Sequence, residues 1–479
     1  MKLHKFIRFF LIKKITIPAL LKEFGSIFEE KGFKAYLVGG AVRDIFLGKK
    51  ASDWDVATNA TPQDVMKLFK FVVPTGIEHG TVTVHYKKCE IEVTTFRTES
   101  GYSDGRHPDS VNYAATIEED LSRRDFTMNA IAVDLKNGRI VDPYGGKKDI
   151  QKKLIRTVGL ARERFLEDGL RPIRAIRFSS QLEFKIEEKT FREISTGPVL
   201  EKIAGISLER FRDELLKLLK SPKPSLGIRQ MEETGILNIF IPEFTVCRGC
   251  IQSDDRGYHI FDVFDHNIYA CDGAPASKPL VRLAALFHDI GKPAARTETT
   301  SPEGLKVFHF FNHEAESEKL ARKIMIRLKF SNADTDHVCH LVKNHMFYYT
   351  PDWTDAAVRR FLVKVGSENI ADLIDLRLAD MFGKYNQPVR LHDSAACDSL
   401  IELQDRIKAI EEKNLALSLK DLAVNGKDLI ALGIPAGKQL GAILNDLFEA
   451  VLEDPTLNEK EKLIEMAGKA LARGIQSKC

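Results

Sequence analysis

The stretch from residue 37 to residue 58, LVGGAVRDIFLGKKASDWDVAT, is the part of the chain that best predicts its fold. A short apolar run ends in a glycine pair, and a DWDV segment containing Asp53 and Asp55 follows. If Trp54–Ala57 is a strand, its side chains alternate between faces, so Asp53 and Asp55 lie on one face about 7 Å apart. Two carboxylates in this position can hold two Mg²⁺ ions, which prefer oxygen ligands and clamp both oxygens of a phosphoryl transfer.

The residues before the two aspartates complete a phosphate-binding pattern. Gly39 and Gly40 carry no Cβ, so their backbone amides can approach a triphosphate closely. Arg43 offers a fork of donors for phosphate oxygens. Asp-x-Asp and Gly-Gly are each common in turns and hairpins, but the combination resembles the first motif of polymerase-β-like nucleotidyltransferases. It resembles most closely the bacterial-type (class II) CCA-adding tRNA nucleotidyltransferases and the related poly(A) polymerases.

Composition sets limits on the protein class. A length of 479 residues predicts two to four domains. The net charge of +3 requires any RNA-binding face to be local. Seven scattered cysteines indicate a reducing compartment, and hence a cytoplasmic protein. We find no apolar run of ~18 residues that would span a membrane. The basic N-terminus is interpreted as an extra helix, with a membrane-surface or RNA contact as the alternative.

The family resemblance implies an α/β head with a mixed sheet and helices, followed by an all-α neck, body and HD domain. The expected boundaries are 1–16 for an N-terminal extension, 17–157 for the head, 158–250 for the neck and RNA-binding body, 251–385 for the HD domain and 386–479 for a helical tail. The role of the tail, in tRNA binding or in closing the body, stays open, and so does the oligomeric state.

A third carboxylate is expected near the first two. Residues 81–85 and 89–95 alternate as two strands of a hairpin, with Glu92 on the face opposite Ile91 and Val93. Spacing alone fits a metal ligand and an exposed strand glutamate opposite a lysine equally well. The resembled family carries a similar IE-V-TTFR strand, which implies that Glu92 acts with Asp53 and Asp55 in catalysis. The polar loop at 97–113 matches a family loop that helps to switch from C addition to A addition.

Two further motifs carry basic residues. Arg124 and Asp125 lie in the segment RRDFTMNA. The purely structural interpretation is a helix cap formed by Asp125, with the arginines at the surface. Arg123 and Arg124 are adjacent, so a helix or strand is not expected to direct both side chains at the same point. The resemblance implies that Arg124 contacts nucleotide phosphate or sugar and that Asp125 lies near the ribose. The later segment SLERFRDELLKLL, from Ser207, resembles a motif that buttresses the nucleotide-binding helix.

The segment EDGLRPIRAIRF places an arginine every third residue, at Arg171, Arg174 and Arg177. On a helix these form one slowly winding basic stripe, with Asp168 as a plausible cap. The ED-x-x-R motif of the resembled family reads the edge of the incoming base. By this resemblance Asp168 and Arg171 select the base, and Arg174 and Arg177 contact phosphate or RNA.

A second set of metal-ligand residue types begins after residue 258. Lone histidines on apolar helices are usually just packed, but this spaced set, with HDIGKP intact, resembles the HD-type metal phosphohydrolases. The set is His266, His288, Asp289, Asp380, His313 and His345. The resemblance implies that the first four of these residues bind one metal ion and that the last two help to bind a second. Mixed imidazole and carboxylate ligands favour a divalent transition metal such as Ni²⁺, Mn²⁺ or Co²⁺ over Mg²⁺.

The sequence therefore predicts an enzyme that adds CCA to tRNA from CTP and ATP with Mg²⁺, with an additional HD phosphohydrolase activity. An A-adding enzyme or a poly(A) polymerase is the first alternative. Residues 74–83 read PTGIEHGTVT, where poly(A) polymerases of this family tend to carry Gly-Arg-Arg-Phe, which argues against poly(A) synthesis. A hydrolase whose head only binds RNA is the alternative from another class.

Overall fold

The computed structural model describes residues 15–49, 53–77, 80–100, 110–252, 260–302, 304–387, 395–413 and 417–476. Contacts between Cα atoms divide the chain into two compact units. The first comprises residues 1–245 and 327–330, and the second comprises residues 246–326 and 331–479. The first 14 residues of the basic N-terminus lie outside the described residues, as does most of the loop at 97–113.

The first unit is built on a seven-stranded sheet with the order β3-β4-β5-β2-β1-β8-β9. β2 and β5 run parallel, whereas the other neighbours are antiparallel, so the sheet is mixed. The prediction of an α/β head with a mixed sheet followed by helices is confirmed. The strands are β1 (Ala35–Val38), β2 (Trp54–Thr58), β3 (Val72–Gly76), β4 (Thr81–Tyr86), β5 (Cys89–Thr95), β8 (Ala132–Asp134) and β9 (Ile140–Val141). Two short pairs lie outside this sheet: β6 (Arg97–Ser100) with β7 (Ser110–Tyr113), and β10 (Leu154–Ile155) with β11 (Lys185–Ile186).

Sequence alternation explains how the central strands face the core. On β5, Ile91 and Val93 are buried and Glu92 is exposed, as the pattern predicts. The turn before it holds Lys87 and Lys88 at φ values of 44° and 65°, which closes the β4–β5 hairpin. One face of the sheet is therefore apolar, and the charged side chains are left at its other face.

Helices cover the sheet and continue beyond it. The first helix buries three side chains at helical spacing, Leu21, Phe24 and Phe28. Thr61 caps α3 in a capping box, as its sequence predicts. In the first unit the helices are α1 (Ala19–Glu29), α2 (Gly39–Phe46), α3 (Pro62–Leu68), α4 (Ile117–Ser122), α5 (Gly146–Lys152), α6 (Ala161–Glu167), α7 (Leu170–Leu182), α8 (Glu188–Ile194), α9 (Gly197–Ala204), α10 (Leu208–Leu219), α11 (Pro224–Glu233), α12 (Ile236–Phe240) and α13 (Pro242–Thr245).

The described residues of the second unit form helices and one hairpin, made by β12 (Thr297–Thr300) and β13 (Lys306–His309). In the part of the chain that the structure describes, no helix has both the length and the apolar character needed to cross a membrane. The remaining helices are α14 (Val263–Gly273), α15 (Pro279–Phe287), α16 (Lys292–Ala295), α17 (His313–Arg327), α18 (Asn332–Asn344), α19 (Asp355–Val365), α20 (Ile370–Tyr385), α21 (Ala395–Glu412), α22 (Gly426–Ala431), α23 (Lys438–Glu453) and α24 (Lys460–Gln476).

Candidate active site and candidate metal centre

Three carboxylates lie near one another where β2 and β5 run side by side. Asp55 and Glu92 are direct register partners in this parallel pair, and Asp53 precedes β2. Burial raises the pKa of Asp55 to about 6, and the negative charges of Glu92 and Asp53 add to the effect against the attraction of Arg124. A partly buried carboxylate beside two others is costly to ionise and gains from a bound cation. The site is therefore suited to a divalent ion.

Gly39 begins α2 beside this cluster, at a φ of 70° that favours glycine. A Cβ at this position would lie 3.0 Å from Asp55 Oδ2 and 3.4 Å from Arg124 Nη1. A side chain would therefore crowd the carboxylate and the guanidinium that face each other there. At Gly40 an added Cβ would have ordinary contacts only, 3.5 Å from Arg43 Nη2. Steric crowding therefore explains why residue 39 is a glycine but does not explain why residue 40 is one.

Arg43 and Asp125 are joined through Asn129, a residue that sequence analysis did not single out. Arg43 is buried and donates to Asn129 Oδ1 at 3.1 Å and to Asp44 Oδ1 at 2.9 Å. Asn129 in turn donates from Nδ2 to Asp125 Oδ1 at 3.1 Å. The Arg43 guanidinium is thus oriented by protein contacts, and its predicted role toward phosphate stays a prediction.

Asp125 is held ionised by Arg174. Arg174 donates from Nε and Nη2 to Asp125 Oδ2, at 2.9 and 2.7 Å. Burial acts to raise the pKa of Asp125, but the Arg174 charge and the Asn129 hydrogen bond outweigh it and lower the pKa to about 2. Two residues predicted to meet the nucleotide therefore face each other in this arrangement.

Arg123 and Arg124 reach the same carboxylate, so the prediction that a helix or strand cannot direct both at one point is wrong. Arg123 and Arg124 both donate to the buried carboxylate of Asp120, at 2.8 Å and 3.2 Å. Asp120 lies three and four residues earlier, and residues at this spacing share a helix face. Of the two, Arg124 also lies beside Gly39, and its charge acts to lower the pKa of Asp55. Its predicted contact with the nucleotide stays a prediction.

Asp168 and Arg171, the two residues predicted to read the base, lie at the start of α7. Both carboxylate oxygens of Asp168 accept hydrogen bonds from Arg210 Nη2, at 3.0 and 3.1 Å, and Oδ1 also accepts one from the Leu170 amide. Arg171 is 8% exposed and donates to Glu167 and to the Arg123 carbonyl. Arg210 belongs to the Ser207 motif, whose predicted buttressing role matches this contact.

The arginine stripe on α7 is not an open basic surface. Each of its arginines meets a different acid, and Arg177 is a buried ion-pair partner of Glu214 on α10. Arg177 is 6% exposed, so its side chain offers little open surface to phosphate or RNA. Its predicted contact with them stays a prediction. Glu214 and its pairing were not foreseen, because the two helices are distant in sequence.

The six predicted HD residues converge in the second unit. One oxygen of Asp289, Oδ2, lies 3.4 Å from His266 Nε2 and 3.3 Å from His288 Nε2. The two histidine nitrogens are 3.1 Å apart, and Asp380 Oδ1 lies 3.3 Å from His266 Nε2. Around the other oxygen, Asp289 Oδ1 lies 3.0 Å from His313 Nε2 and 3.6 Å from His345 Nε2. Asp289 is therefore shared by two groups of donors.

The histidine tautomers point lone pairs into this cluster. The Nδ1 atoms of His288, His313 and His345 each lie 2.7 Å from a backbone carbonyl three residues earlier. A carbonyl only accepts, so Nδ1 carries the hydrogen, and in the neutral imidazole Nε2 keeps its lone pair. The Nε2 atoms of His313 and His345 nevertheless face each other at 3.3 Å.

A bound cation stabilises facing lone pairs of this kind, as does a proton shared between an imidazole and Asp289. Ligand atoms held about 2.0–2.2 Å from a metal ion lie roughly 3.0–3.5 Å from each other, which is the spacing of these donors. The backbone contacts at Nδ1 are the second-shell hydrogen bonds that usually orient metal-binding histidines. The residues present therefore fit one or two divalent ions.

A cavity of about 350 Å³ opens beside the cluster. Its wall includes three cationic residues that sequence analysis did not identify, Lys292, Arg377 and Lys384. Lys292 lies 2.6 Å from Asp289 Oδ2, and Arg377 donates to Asp380 Oδ2 at 2.8 Å. These cations offset the negative charge of the carboxylates and line a space in which an anionic group fits.

Models of known families match three parts of the chain. The poly(A) polymerase head domain matches residues 35–156, the RNA and SrmB-binding site of polymerase A matches 183–247, and tRNA nucleotidyltransferase domain 2 matches 306–467. The first match contains the carboxylate cluster, and the third contains His313, His345 and Asp380.

Relatives of similar length extend the likeness to nearly the whole chain. The CCA-adding enzyme of Enterococcus faecalis is 35% identical over 469 residues, 97% of this chain and 99% of the relative. That of Lactobacillus johnsonii is 35% identical over 436 residues, 91% of this chain and 93% of the relative. The crystal structure of the Bacillus stearothermophilus CCA-adding enzyme in complex with CTP has a TM-score of 0.70 and 29% identity, and covers 97% of this chain and 100% of that one. With this agreement in sequence, length and fold, the chain belongs to the family of CCA-adding enzymes, which are nucleotidyltransferases.

Proposed function

We propose that the first unit adds CCA to the 3′ ends of tRNA from CTP and ATP, without a nucleic-acid template. The observation that carries this proposal is the charged cluster of Asp53, Asp55 and Glu92 beside Gly39, in a chain of this family. Family relatives named as CCA-adding enzymes favour this reading over A addition alone or poly(A) synthesis. A tRNA substrate is also our ground for proposing a cytoplasmic location.

Asp53 and Asp55 would hold Mg²⁺, with Glu92 beside them. Bound there, Mg²⁺ supplies positive charge to the oxygens of the reacting phosphoryl group. The raised pKa of Asp55 supports this assignment, because a cation in the cluster would offset both the burial of the carboxylate, which is the main cause of the shift, and the repulsion from Glu92. Gly39 and Gly40 would leave room for the triphosphate, and Arg43 and Arg124 would contact it.

Asp168 and Arg171 would present an acceptor and donors to the edge of the incoming base. Arg210 and Glu167 support this role, because they hold the two side chains at the start of α7. Asp125 would reach the ribose and Arg174 the phosphates, with Arg177 contributing to phosphate or RNA contact. With the nucleotide bound, the Asp125–Arg174 ion pair would open, because Asp125 would then contact the ribose and Arg174 the phosphates.

The transferase proposal is tested with three tRNA transcripts that end before CCA, after CC and after CCA. Each is incubated with the protein and one nucleotide at a time, and the 3′ ends are read by sequencing. We expect CTP alone to extend the first by two residues and ATP alone to extend the second by one, with no extension of the third. Repeated A addition to every transcript would instead identify a poly(A) polymerase.

A second activity is supported by the cluster of six donors in the second unit. We propose an HD phosphohydrolase there, in which His266, His288, Asp289 and Asp380 hold one divalent transition metal and His313 and His345 help to hold a second. Such an ion supplies Lewis acidity toward a phosphoryl oxygen. Lys292 and Arg377 would keep the carboxylates oriented and lend positive charge to the cavity.

The proposed substrates are phosphate esters, with 2′,3′-cyclic phosphates on damaged RNA ends as the main candidate. Hydrolysis would break one phosphorus–oxygen bond, with the proton of water going to the leaving oxygen and the hydroxyl to phosphorus. The test is hydrolysis of bis-p-nitrophenyl phosphate and 2′,3′-cyclic AMP with Mg²⁺, Mn²⁺, Ni²⁺ and Co²⁺. We expect activity with the transition metals; no hydrolysis with any metal would leave these histidines structural.

For this division of labour we propose an N-terminal extension at 1–16, a head at 17–157, a neck and body at 158–250, an HD domain at 251–385 and a tail at 386–479. A hydrolase with a head that only binds RNA remains the alternative of another class. It predicts normal hydrolysis and no nucleotide transfer with any of the three transcripts.

A further inference from the structure

A second cavity lies next to the HD cavity and is unlike it in character. It has a volume of about 370 Å³ and shares Met346, the residue after His345, with the HD cavity. We call it the basic aromatic groove and define it by Lys343, Phe347, Tyr348, Trp353, Arg360 and Lys364. The chain between His345 and Thr354 has no regular secondary structure and brings aromatic side chains to its wall.

Two lysines line this groove without charged partners within the described ranges. Lys343 and Lys364 are exposed, and among the described residues neither ammonium group has a hydrogen-bond or ion-pair partner. Arg360 is engaged by Glu449 and Glu453, each at 2.9 Å. The acidic residue of the lining is Glu314, and Arg360 is already paired, so the ammonium groups of Lys343 and Lys364 are the cations that could meet phosphate oxygens.

The aromatic side chains of the groove divide into a fixed wall and a projecting ring. The Trp353 ring packs edge-on against Phe361 at 5.7 Å, and Phe347 lies 5.2 Å from Phe361. Tyr348, by contrast, is 77% exposed, and Met346 beside it is 58% exposed. Large apolar surfaces left open beside cations are characteristic of ligand sites rather than of an ordinary solvated face.

We propose that this groove binds the single-stranded 3′ portion of an RNA whose terminal phosphate ester reaches the HD centre. Single strands are held by cations that track the phosphates and by aromatic rings on which bases stack. Lys343 and Lys364 supply the first element and Tyr348 the second, while Met346 marks the passage to the donor cluster. The proposal rests on the phosphohydrolase function proposed above and names its substrate as a polymer rather than a free nucleotide.

The test compares two substrates of the full-length protein. One is 2′,3′-cyclic AMP, and the other is a single-stranded RNA octamer that ends in a 2′,3′-cyclic phosphate. For Tyr348→Ala and for the double variant Lys343→Glu/Lys364→Glu, we expect KM for the octamer to rise about tenfold. KM for the mononucleotide should stay within twofold of wild type, as should both values for the control Lys427→Glu, an exposed lysine of α22 outside the groove.

Equal changes for both substrates, or no change for either, would overturn the proposal. A second measurement keeps the groove testable if the HD centre hydrolyses nothing. An octamer with 4-thiouridine one position before its 3′ end is crosslinked by light, and modified peptides are mapped by mass spectrometry. Crosslinks within residues 343–364 would keep the groove as an RNA site and reject only the hydrolase; their absence would reject it and leave the exposed rings as a protein interface.

Discussion

Replacing Asp55 by asparagine is expected to make the metal-free protein more stable while abolishing nucleotide transfer. Burial, and then the charge of Glu92, raise the pKa of Asp55 from 3.8 to about 6. Because the folded-state pKa is the higher one, the folded protein retains the proton between these values, and stability falls as pH rises from 3.8 to about 6. At 1.36 kcal/mol for each pH unit of this interval, the ionised carboxylate costs about 3 kcal/mol at pH 8. Solvent screening of a partly exposed site reduces the measurable gain to roughly 1–3 kcal/mol.

The assay is thermal unfolding with a chelator, for wild type and Asp55→Asn at a series of pH values. We expect the variant to melt higher at pH 8, by about 2–4 °C per kcal/mol. The difference should shrink to about half of its free-energy value at pH 5 and nearly vanish below pH 4. Asp53→Asn is the matched control, because Asp53 is exposed and its removal relieves little burial cost.

Added Mg²⁺ provides the second half of this test. Wild type should gain stability with the logarithm of one plus the ratio of the Mg²⁺ concentration to Kd, whereas Asp55→Asn should gain much less. An unchanged or lower melting temperature of the metal-free variant at pH 8 would refute the reasoning. So would equal stabilisation of both proteins by Mg²⁺.

Three further predictions concern the other residues. Asp168→Ala should lose selectivity for C and A over U and G by roughly 1–3 kcal/mol, measured as ratios of kcat/KM; an even fall in rate with all nucleotides would contradict base reading. Arg210→Ala should reproduce part of that loss through Asp168, with Arg210→Lys restoring some selectivity, whereas unchanged selectivity would leave the ion pair purely structural. His288→Ala should remove metal-dependent phosphodiesterase activity and spare CCA addition, and Asp53→Ala should do the reverse; loss of both activities in either variant would contradict two separate sites.

Local patterns in the sequence predicted the elements that depend on neighbouring residues. The glycine pair, the β5 alternation and the Thr61 cap are set within a few residues, so their spacing was enough. The backbone contacts of His288, His313 and His345 are also local, each to the carbonyl three residues earlier.

Pairings between distant elements could not be read from spacing. Glu92 reaches Asp55 because β5 runs parallel to β2, a register that alternation within one strand does not specify. The α7 arginines looked like a surface stripe because their acids come from elsewhere, including Asp125 and Glu214. Family resemblance supplied part of this information; the ion pairs needed the folded chain.

The adjacent arginines are an instructive error. The prediction treated the two side chains as rigid vectors from neighbouring positions. Arg123 and Arg124 are long enough to bend back over one turn, and Asp120 presents a separate oxygen to each. Buried carboxylates that gather several donors in this way offset their own desolvation.

The most direct test of the central claim is a single-turnover assay on tRNA lacking CCA, with CTP, ATP and Mg²⁺ together. Wild type, Asp53→Ala and Asp55→Ala are compared by sequencing the 3′ ends, with tRNA binding and thermal unfolding measured on the same samples. We predict complete CCA ends for wild type and no addition of C or A by either variant, with folding and tRNA binding retained. Addition by either variant within tenfold of the wild-type rate would contradict the assignment of the transferase centre to these two aspartates.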